Sequence, residues 1–441
     1  MKVIIIGGGT GGMCLAHGLR QAGIEVAVHE RYGSRRDGLY GYRVGIDPTG
    51  NRALRQCLPP RLFDTFVATC ARTPRHFNVL TQSKHVTASI PLRDDVDDVN
   101  SERSVSRSTL RQILFTGMDD VIHFGKDFTH YEQHENGTVT AYFADGTHDT
   151  GDLLVAADGT RSALRRQFLP HAEIKEAGIT SIATKTALTP ETRALLSAET
   201  ANGISLIFGT KGLLGMLHVM EFKWDADGNP KNPEDAALLQ DWSGLQFDNS
   251  RDYINLSVWS SHEHFPEGIE QQRGAELIAT ALRVTENWHP DLRRLFELSD
   301  PEAAFPLRIS TSVPVEPWKS TNITLLGDAI HTMTPGQGVG ANTALRDAAL
   351  LCQEIIAADR GRKTLLAAVE GYEAEMLPYG FARVADSLDN NGTSGDDPLY
   401  KPGVGRLALF AARTYFSLTA KIPALRRKFL EDLYTYRGAD A

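Results

Sequence analysis

Glycines spaced as Gly7, Gly9 and Gly12 lie near the start of the chain, between the apolar run Val3 to Ile6 and a helical pattern. The first glycine of such a motif allows a tight turn, the second lets the backbone approach a pyrophosphate, and the third lets the helix pack on the strand. Glu30 ends the next apolar run, 18 residues beyond Gly12, where its carboxylate could accept hydrogen bonds from a ribose. This order of strand, loop, helix, strand and acid predicts a dinucleotide site for FAD or NAD.

A second glycine-rich segment, GDAIHTMTPGQGVGANTALRD, runs from Gly327 to Asp347 and opens into a helical pattern. A helix N-terminus carries partial positive charge and free N–H groups, so it suits a phosphate or another electron-rich group. His331 in this segment is a candidate for acid–base chemistry, although we favour a structural histidine that orients the loop. The sequence therefore contains two ligand-binding turns that lie far apart along the chain.

Composition argues against several other kinds of chemistry. The formal net charge is −9, and no pattern typical of nucleic-acid binding occurs. The chain has no GxSxG nucleophile motif and no HExxH metal motif, and its four cysteines (Cys14, Cys57, Cys70 and Cys352) form no CxxC pair. We therefore expect no bound metal and no nucleic-acid partner.

The same sequence predicts a cytoplasmic protein without stable membrane insertion. Its first residues form an apolar strand instead of the positively charged and apolar regions of a signal peptide. No uninterrupted apolar run approaches the roughly 18 residues that a spanning helix needs.

The elements that must position these residues divide the chain into three parts. Residues 1–175 and 307–385 alternate between buried strands and helices, as in a discontinuous Rossmann-like α/β nucleotide-binding domain. Residues 176–306 show the alternation of an antiparallel sheet, which we interpret as an inserted substrate-binding domain. Residues 386–441 have a helical pattern with a basic end, and we expect them to pack across the sheet.

The arginines between these elements allow two interpretations. Arg35, Arg36 and Arg43 lie in a glycine-rich loop, where they could neutralise phosphates or simply be solvated. Arg43 precedes apolar residues and is the one expected to point inward. Arg107 lies at the edge of an apolar helix.

The strands of the inserted segment suggest a pocket lining. Alternation in LLGMLHVMEF places His218 on one face of its strand, and alternation in YINLSVWS places Asn255 on one face of another. For any single residue, ordinary core packing is the alternative. His218 and Asn255 are the polar members best suited to orient a substrate or move a proton. The remaining faces are mostly apolar, which favours a large hydrophobic substrate.

Three motifs in order carry a resemblance to a known family. The first is GGGTGG with Glu30, the second is DGTRSALR from Asp158 to Arg165, and the third is the segment that begins at Gly327. Together they resemble the single-component FAD-dependent monooxygenases, the group A aromatic hydroxylases that include p-hydroxybenzoate hydroxylase and the tetracycline oxygenases. Ile330 departs from the alanine that is usual in the third motif.

The resemblance implies an enzyme that uses NADPH or NADH to reduce bound FAD and then hydroxylates an aromatic or polycyclic hydrophobic molecule with O2, through a C4a-hydroperoxyflavin. In that family Glu30 would bind the adenosine ribose, and Asp328 would accept hydrogen bonds from the ribityl chain. Pro335 would shape the reactive face of the flavin beside the substrate, and His218 and Asn255 are the other two candidate catalytic residues. The full implied cofactor set is Gly7, Gly9, Thr10, Gly11, Gly12, Glu30, Arg31, Arg43, Arg107, Phe128, Asp158, Asp328, Pro335, Gly338, Gly340, Ala341 and Asn342.

Other interpretations remain open at this point. Flavin-dependent halogenases and reductases share the first motif, although the halogenase segment WxWxIP does not occur in the sequence. A flavin-containing protein that binds a ligand without turnover is an alternative from a different class. We expect a monomer or a homodimer.

Overall fold

The computed structural model describes residues 1–38, 41–94, 97, 99–223, 237, 252–388, 392, 394–401 and 403–438. The strands are β1 Lys2–Ile6, β2 Glu25–Glu30, β3 Arg43–Ile46, β4 His76–Thr81, β5 Val86–Pro91, β6 Arg103–Ser106, β7 Ile122–Phe124, β8 Phe128–Gln133, β9 Val139–Phe143, β10 His148–Gly151, β11 Leu153–Ala156, β12 Ile174–Ala187, β13 Gly203–Phe208, β14 Leu214–Met220, β15 Tyr253–Ser261, β16 Phe305–Ser312 and β17 Ile323–Leu325.

Alongside these strands, the described residues form α-helices. They are α1 Thr10–Gln21, α2 Pro48–Cys57, α3 Pro60–Ala68, α4 Arg107–Phe115, α5 Ala163–Phe168, α6 Pro190–Ala194, α7 Ala198–Ala201, α8 Gly274–Val284, α9 Pro290–Glu297, α10 Asp328–His331, α11 Gly340–Asp359, α12 Leu365–Leu388, α13 Gly405–Lys421 and α14 Pro423–Tyr436.

A parallel sheet of five strands brings the three sequence motifs to one edge. Its order is β17-β11-β1-β2-β7, and every recorded strand pair in it is parallel. Ile6 lies beside Ala156, and Ala156 lies beside Leu325, so β1, β11 and β17 end at the same level. Parallel strands buried on both faces are expected to read as continuous apolar runs, as β1 does. The loops that follow these strands therefore meet at the carboxyl edge of the sheet, where α/β folds bind their ligands.

A second, seven-stranded sheet has the order β16-β12-β15-β14-β13-β4-β5. All its neighbours are antiparallel except β13 and β4. This sheet draws on residues 76–91, which lie within the predicted nucleotide-binding segment 1–175, and it extends to Ser312, beyond the predicted limit of 306. Local alternation predicts that a segment is a strand, but it does not indicate which sheet the strand joins.

Helices α8 and α9 cover one face of the seven-stranded sheet, and α13 covers the opposite face. Leu277, Leu292 and Phe296 pack with Ile254 and its buried neighbours on the first face. On the second face Phe416 of α13 packs against Phe208 and Phe77, with ring centroids 6.1 and 5.9 Å apart. Because strand side chains alternate, the residues of β14 and β15 that avoid the first core face the second. No helix among the described residues is long and apolar enough to cross a membrane.

Candidate active site

A cavity of about 470 Å³ opens at the carboxyl edge of the parallel sheet. It is bounded by the turns after β1, β2 and β11 and by the start of α4. Three acidic side chains line it (Glu30, Asp127 and Asp158), against six cationic ones: Arg31, Arg107, Arg111, Lys126, Arg161 and Arg166. In a chain of net charge −9, this local excess of positive charge suits an anionic ligand such as a pyrophosphate.

The glycines of the first loop are required for different reasons. Gly7 has φ +108°, a conformation that favours glycine, and a Cβ on Gly12 would lie 2.3 Å from the Gly7 carbonyl oxygen. Gly9, the N-cap of α1, has an ordinary φ of −77°, and the nearest protein atom to its ideal Cβ is 3.9 Å away. The protein itself therefore does not require glycine at position 9. The open space beside Gly9 belongs to the cavity, as expected if a ligand approaches the backbone there.

Glu30 is buried at the base of this cavity. One carboxylate oxygen accepts a hydrogen bond of 2.9 Å from the Gly8 amide, and the other accepts one of 3.1 Å from the Tyr32 amide. Arg111 of α4 lies 3.6 Å from the same carboxylate and stacks over Tyr32 at 5.3 Å. The carboxylate is thus held at the mouth of the glycine loop, with lone pairs left for a ligand hydroxyl.

The segment after β11 joins two parts of the site through Arg165. Ser162 is the N-cap of α5, and Asp158 accepts a 2.9 Å hydrogen bond from the Ala163 amide at the start of that helix. Burial raises the pKa of Asp158. The buried guanidinium of Arg165 donates to the carbonyl of Ala329 at 2.8 Å and to the carbonyl of Thr160 at 3.0 Å. Arg165, in the second motif, is therefore hydrogen-bonded to Ala329 in the third.

A buried ion pair shapes the third motif. Asp347 of α11 accepts a 3.0 Å hydrogen bond from the Gly327 amide and contacts Nε2 of His331 at 2.5 Å. Burial alone would lower the pKa of His331, but the charge and the hydrogen bond of Asp347 outweigh it and raise that pKa. Since His331 is buried beneath the turn and engaged by Asp347, its geometry favours a structural role over acid–base chemistry.

Asp328 differs from its neighbours because its side chain is exposed. It begins α10, and among the described residues no donor makes a hydrogen bond to its carboxylate. Surrounding protein raises its pKa by desolvation, while His331 and Arg107 act in the opposite direction. Arg107 also lines the cavity, so the exposed carboxylate lies near the end of the cationic lining.

The start of α11 presents backbone donors beside Asp328. Gly338 adopts φ +68° before the helix, and the first amides of an α-helix have no partner within the helix. The side chain of Asn342 is already engaged, accepting from the Asp47 amide at 3.0 Å and donating to the Gly45 carbonyl at 2.9 Å. Asn342 thus fixes the helix N-terminus, whereas the backbone of Gly340 and Ala341 is what this end of the helix offers a ligand.

The seven-stranded sheet contains two polar groups with unused hydrogen-bonding capacity. His218 is buried, and neither ring nitrogen has a partner in the described part of the chain. Asn255 lies directly opposite on β15, and its Oδ1 is likewise without a partner among those residues. Burial, and then the charge of Arg43, lower the pKa of His218 well below its ordinary value, so the imidazole is neutral.

Arg43 lies beside this face and does not line the cationic cavity. It is half-buried on β3, and its Nε donates to Oγ of Ser104 at 3.1 Å. Burial lowers its pKa to about 10, and the nearby Arg437 adds to that effect while Glu102 opposes it. The arginine predicted to face the phosphates is thus placed nearer to His218.

Comparisons with known proteins identify the family of this chain. Residues 272–386 match a family model described as an FAD binding domain. A Photorhabdus luminescens crystal structure, of a protein classified as an FAD-containing monooxygenase, superimposes with a TM-score of 0.75 at 32% identity, over 88% of this chain and 96% of that one. The chain belongs to the FAD-dependent monooxygenases.

Two further relatives extend the comparison. The chain is 30% identical over 439 residues to the dual O-methyltransferase/FAD-dependent monooxygenase elcB of Phaeosphaeria nodorum, covering 95% of this chain. The chain spans about half the length of such curated relatives, 47% in the case of elcB. Klebsiella pneumoniae HpxO, solved with FAD and uric acid, shares the fold with a TM-score of 0.74 at 22% identity, over 100% of this chain and 97% of that one.

These comparisons confirm the predicted family and the predicted fold class, an α/β Rossmann-like domain with an inserted antiparallel sheet and C-terminal helices. Of the predicted cofactor residues, the cavity brings together Gly7, Gly9, Thr10, Glu30, Arg31, Arg107, Phe128 and Asp158. Gly11 and Gly12 lie beneath it in α1, with Gly11 packed against Leu326. Pro335 begins a short 3-10 turn just before α11 and is exposed.

Sequence reasoning missed the contribution of Arg111. The sequence did contain one indication of this contribution. Arg111 follows Arg107 by four residues in one helix, which places both arginines on the same helical face. Its ion pair with Glu30 joins residues that lie far apart along the chain, so no local pattern indicates it.

Proposed function

We propose that this monooxygenase binds FAD across the carboxyl edge of the parallel sheet, uses NADPH or NADH as reductant, and hydroxylates a hydrophobic aromatic small molecule. The observation that carries the proposal is the cationic cavity at this edge, which suits a partly anionic cofactor. Glu30, the space beside Gly9 and Arg107 belong to this cavity, and the charge of Arg107 acts on the exposed Asp328. The predicted division into 1–175 with 307–385, 176–306, and 386–441 is retained as part of this proposal.

The residues of this chain fit FAD at both ends. The space beside Gly9 and the cationic lining suit the pyrophosphate, while Glu30 suits the adenosine ribose. Asp328 would accept hydrogen bonds from the ribityl hydroxyls, and the first amides of α11 would face the pyrimidine end of the flavin ring. When bound, FAD supplies the hydride acceptance and the oxygen activation. Helix amides that are already oriented stabilise negative charge without reorganising.

The seven-stranded sheet supports an aromatic substrate. His218 is neutral and buried, so it can orient a substrate hydroxyl or carbonyl through either ring nitrogen. Asn255 directly opposite offers a second hydrogen-bonding group. Apolar neighbours on this face exclude water, which strengthens both interactions. The uric acid bound by the Klebsiella relative is consistent with an aromatic ring as the substrate framework.

The test is substrate-stimulated oxidation of NADPH and NADH by the purified, flavin-loaded protein across a panel of phenolic and polycyclic compounds. We expect at least one compound to accelerate the oxidation and to give a product that carries one oxygen atom from labelled O2. Hydrogen peroxide as the sole product with every compound would contradict hydroxylation. No change in oxidation rate with any compound would favour a flavin-containing binding protein, and halide-dependent chlorination would favour a halogenase.

A further inference from the structure

Helix α13 has an apolar face that nothing in the described chain covers. Of the nine large apolar side chains that are exposed among the described residues, seven lie between Val404 and Leu425. Leu407 and Phe410 are 69% and 68% exposed. Six of the seven form what we call the outer face: Val404, Leu407, Phe410, Leu418, Ile422 and Leu425. Val404, Leu407, Phe410 and Leu418 are spaced by three or eight residues, which places them along one side of α13. Ile422 and Leu425 follow at the extended junction with α14 and at the start of that helix.

The opposite side of α13 packs against the protein. Phe416 is buried against the seven-stranded sheet, and Arg413 donates a hydrogen bond to the carbonyl of Phe208. Both faces of α13 are therefore apolar, and among the described residues only the face on the sheet is covered. A soluble monomer exposes few contiguous apolar patches of this kind unless they bind something.

Charge indicates what the outer face binds. From Lys401 to Leu430 the sequence has seven cationic residues and no acidic one, although the whole chain has a net charge of −9. Lys421, Arg426 and Lys428 flank the apolar side chains, and Arg427 is 76% exposed in a weak contact of 3.8 Å with Glu431. Apolar side chains beside clustered Lys and Arg are the combination that binds anionic bilayer surfaces.

We infer that the outer face docks on the surface of a membrane that contains anionic lipid, with Leu407 and Phe410 in the interfacial region and the flanking cations at the headgroups. A second copy of the chain fits less well, because a symmetric contact would bring two such cationic surfaces together. The docking is peripheral, since no described helix can span a bilayer. It would place α13 between the membrane and the sheet that carries His218.

The test is co-sedimentation of the flavin-loaded protein with vesicles of phosphatidylcholine, with and without phosphatidylglycerol, at low and high salt. We expect binding only to the vesicles that contain phosphatidylglycerol, with loss of binding at high salt. Phe410→Asp should weaken binding at least tenfold, because it removes one large buried apolar side chain and adds a repelled charge. Arg426→Gln and Arg427→Gln should each weaken it about fivefold.

The matched control is Leu366→Asp, which removes an apolar side chain that is 50% exposed on α12, outside the outer face. This variant should bind as the unaltered protein does, and all variants should keep their flavin and their melting temperature. No binding to either vesicle, equal binding to uncharged vesicles, or unchanged binding by Phe410→Asp would overturn the inference. A dimer in light scattering that Phe410→Asp dissociates would identify a second copy as the occupant and would also overturn it. These measurements do not depend on turnover, so a failure of the docking inference can be distinguished from a failure of the proposed function.

Discussion

Replacing Arg165 by Met tests whether one buried guanidinium holds the two cofactor-binding segments together. Arg165 is 4% exposed, and its two hydrogen bonds of 2.8 and 3.0 Å end on the carbonyls of Ala329 and Thr160. Met has a similar length and no donor, so Arg165→Met removes both bonds, one to the buried carbonyl of Ala329 and one to the partly buried carbonyl of Thr160. The first of these carbonyls belongs to the short helix that begins with Asp328.

The size of the effect follows from these contacts. A hydrogen bond that involves a charged group contributes about 1.5–3 kcal/mol, so two of them contribute about 3–6 kcal/mol. Part of this loss is recovered because a buried guanidinium is costly to desolvate, the same burial that lowers the pKa of Arg165. A net loss of about 3 kcal/mol corresponds to a fall in melting temperature of roughly 6–12 °C for a domain of this size.

The assay is a thermal melt together with the ratio of flavin absorbance to protein absorbance. We expect Arg165→Met to melt at a lower temperature and to retain less FAD, because α10 and Asp328 are no longer fixed. Arg20→Met is the matched control, since Arg20 also makes several hydrogen bonds, to Asp120 and the Gly117 carbonyl, but its side chain is 41% exposed. Exposed pairs contribute about 1 kcal/mol or less. If Arg165→Met and Arg20→Met melt at about the same temperature and Arg165→Met keeps its full flavin, the proposed role of Arg165 in connecting the two segments is wrong.

Four further predictions concern the same site. Gly9→Ala should keep the melting temperature of the apoprotein but lose FAD. Gly12→Ala should lower the melting temperature of the apoprotein, because its Cβ would lie 2.3 Å from a carbonyl oxygen. Equal changes in melting temperature for the two variants would contradict this. Asp328→Ala should lose the yellow cofactor and stay folded by circular dichroism, and full retention of FAD would refute its assigned role. His218→Leu should leave the melting temperature unchanged or higher, since no hydrogen bond within the described residues is lost, yet abolish substrate-stimulated NADPH oxidation. Asp47 has a pKa raised from 3.8 to about 6 by burial, so the folded state holds its proton more tightly and stability should fall as the pH rises between those values. Asp47→Asn, which keeps the helix cap, should remove that slope and add up to about 3 kcal/mol at pH 7.5, as measured by urea unfolding.

The parts of the fold that the sequence predicts well depend on local patterns. β1, the glycine loop and α1 follow from a short apolar run, three spaced glycines and a helical period, all within the first 21 residues. The convergence of the three motifs also follows from sequence, because parallel strands of one sheet end at the same edge. The fold class was confirmed for these reasons.

The parts that sequence could not predict depend on contacts between distant residues. β4 joins the seven-stranded sheet by pairing with β13, more than 100 residues later. Arg43 lies beside His218 because β3 pairs with β6, a register that no local pattern contains. Charge alone suggested a phosphate partner for Arg43, and only the strand pairing places it near the sheet.

The third motif shows why one carboxylate is buried while its neighbour is exposed. A buried ion pair is costly to desolvate, so Asp347 and His331 are a poor means of adding stability alone. Their value is geometric, because Asp347 holds the Gly327 amide and His331 together and so fixes a turn in which Gly327 has φ +61°. That turn directs the next side chain, Asp328, out of the core. Desolvation raises the pKa of Asp328 and the charge of Asp347 adds to that effect, while His331 and Arg107 oppose it. The buried pair of Asp347 and His331 therefore sets the position of the exposed Asp328.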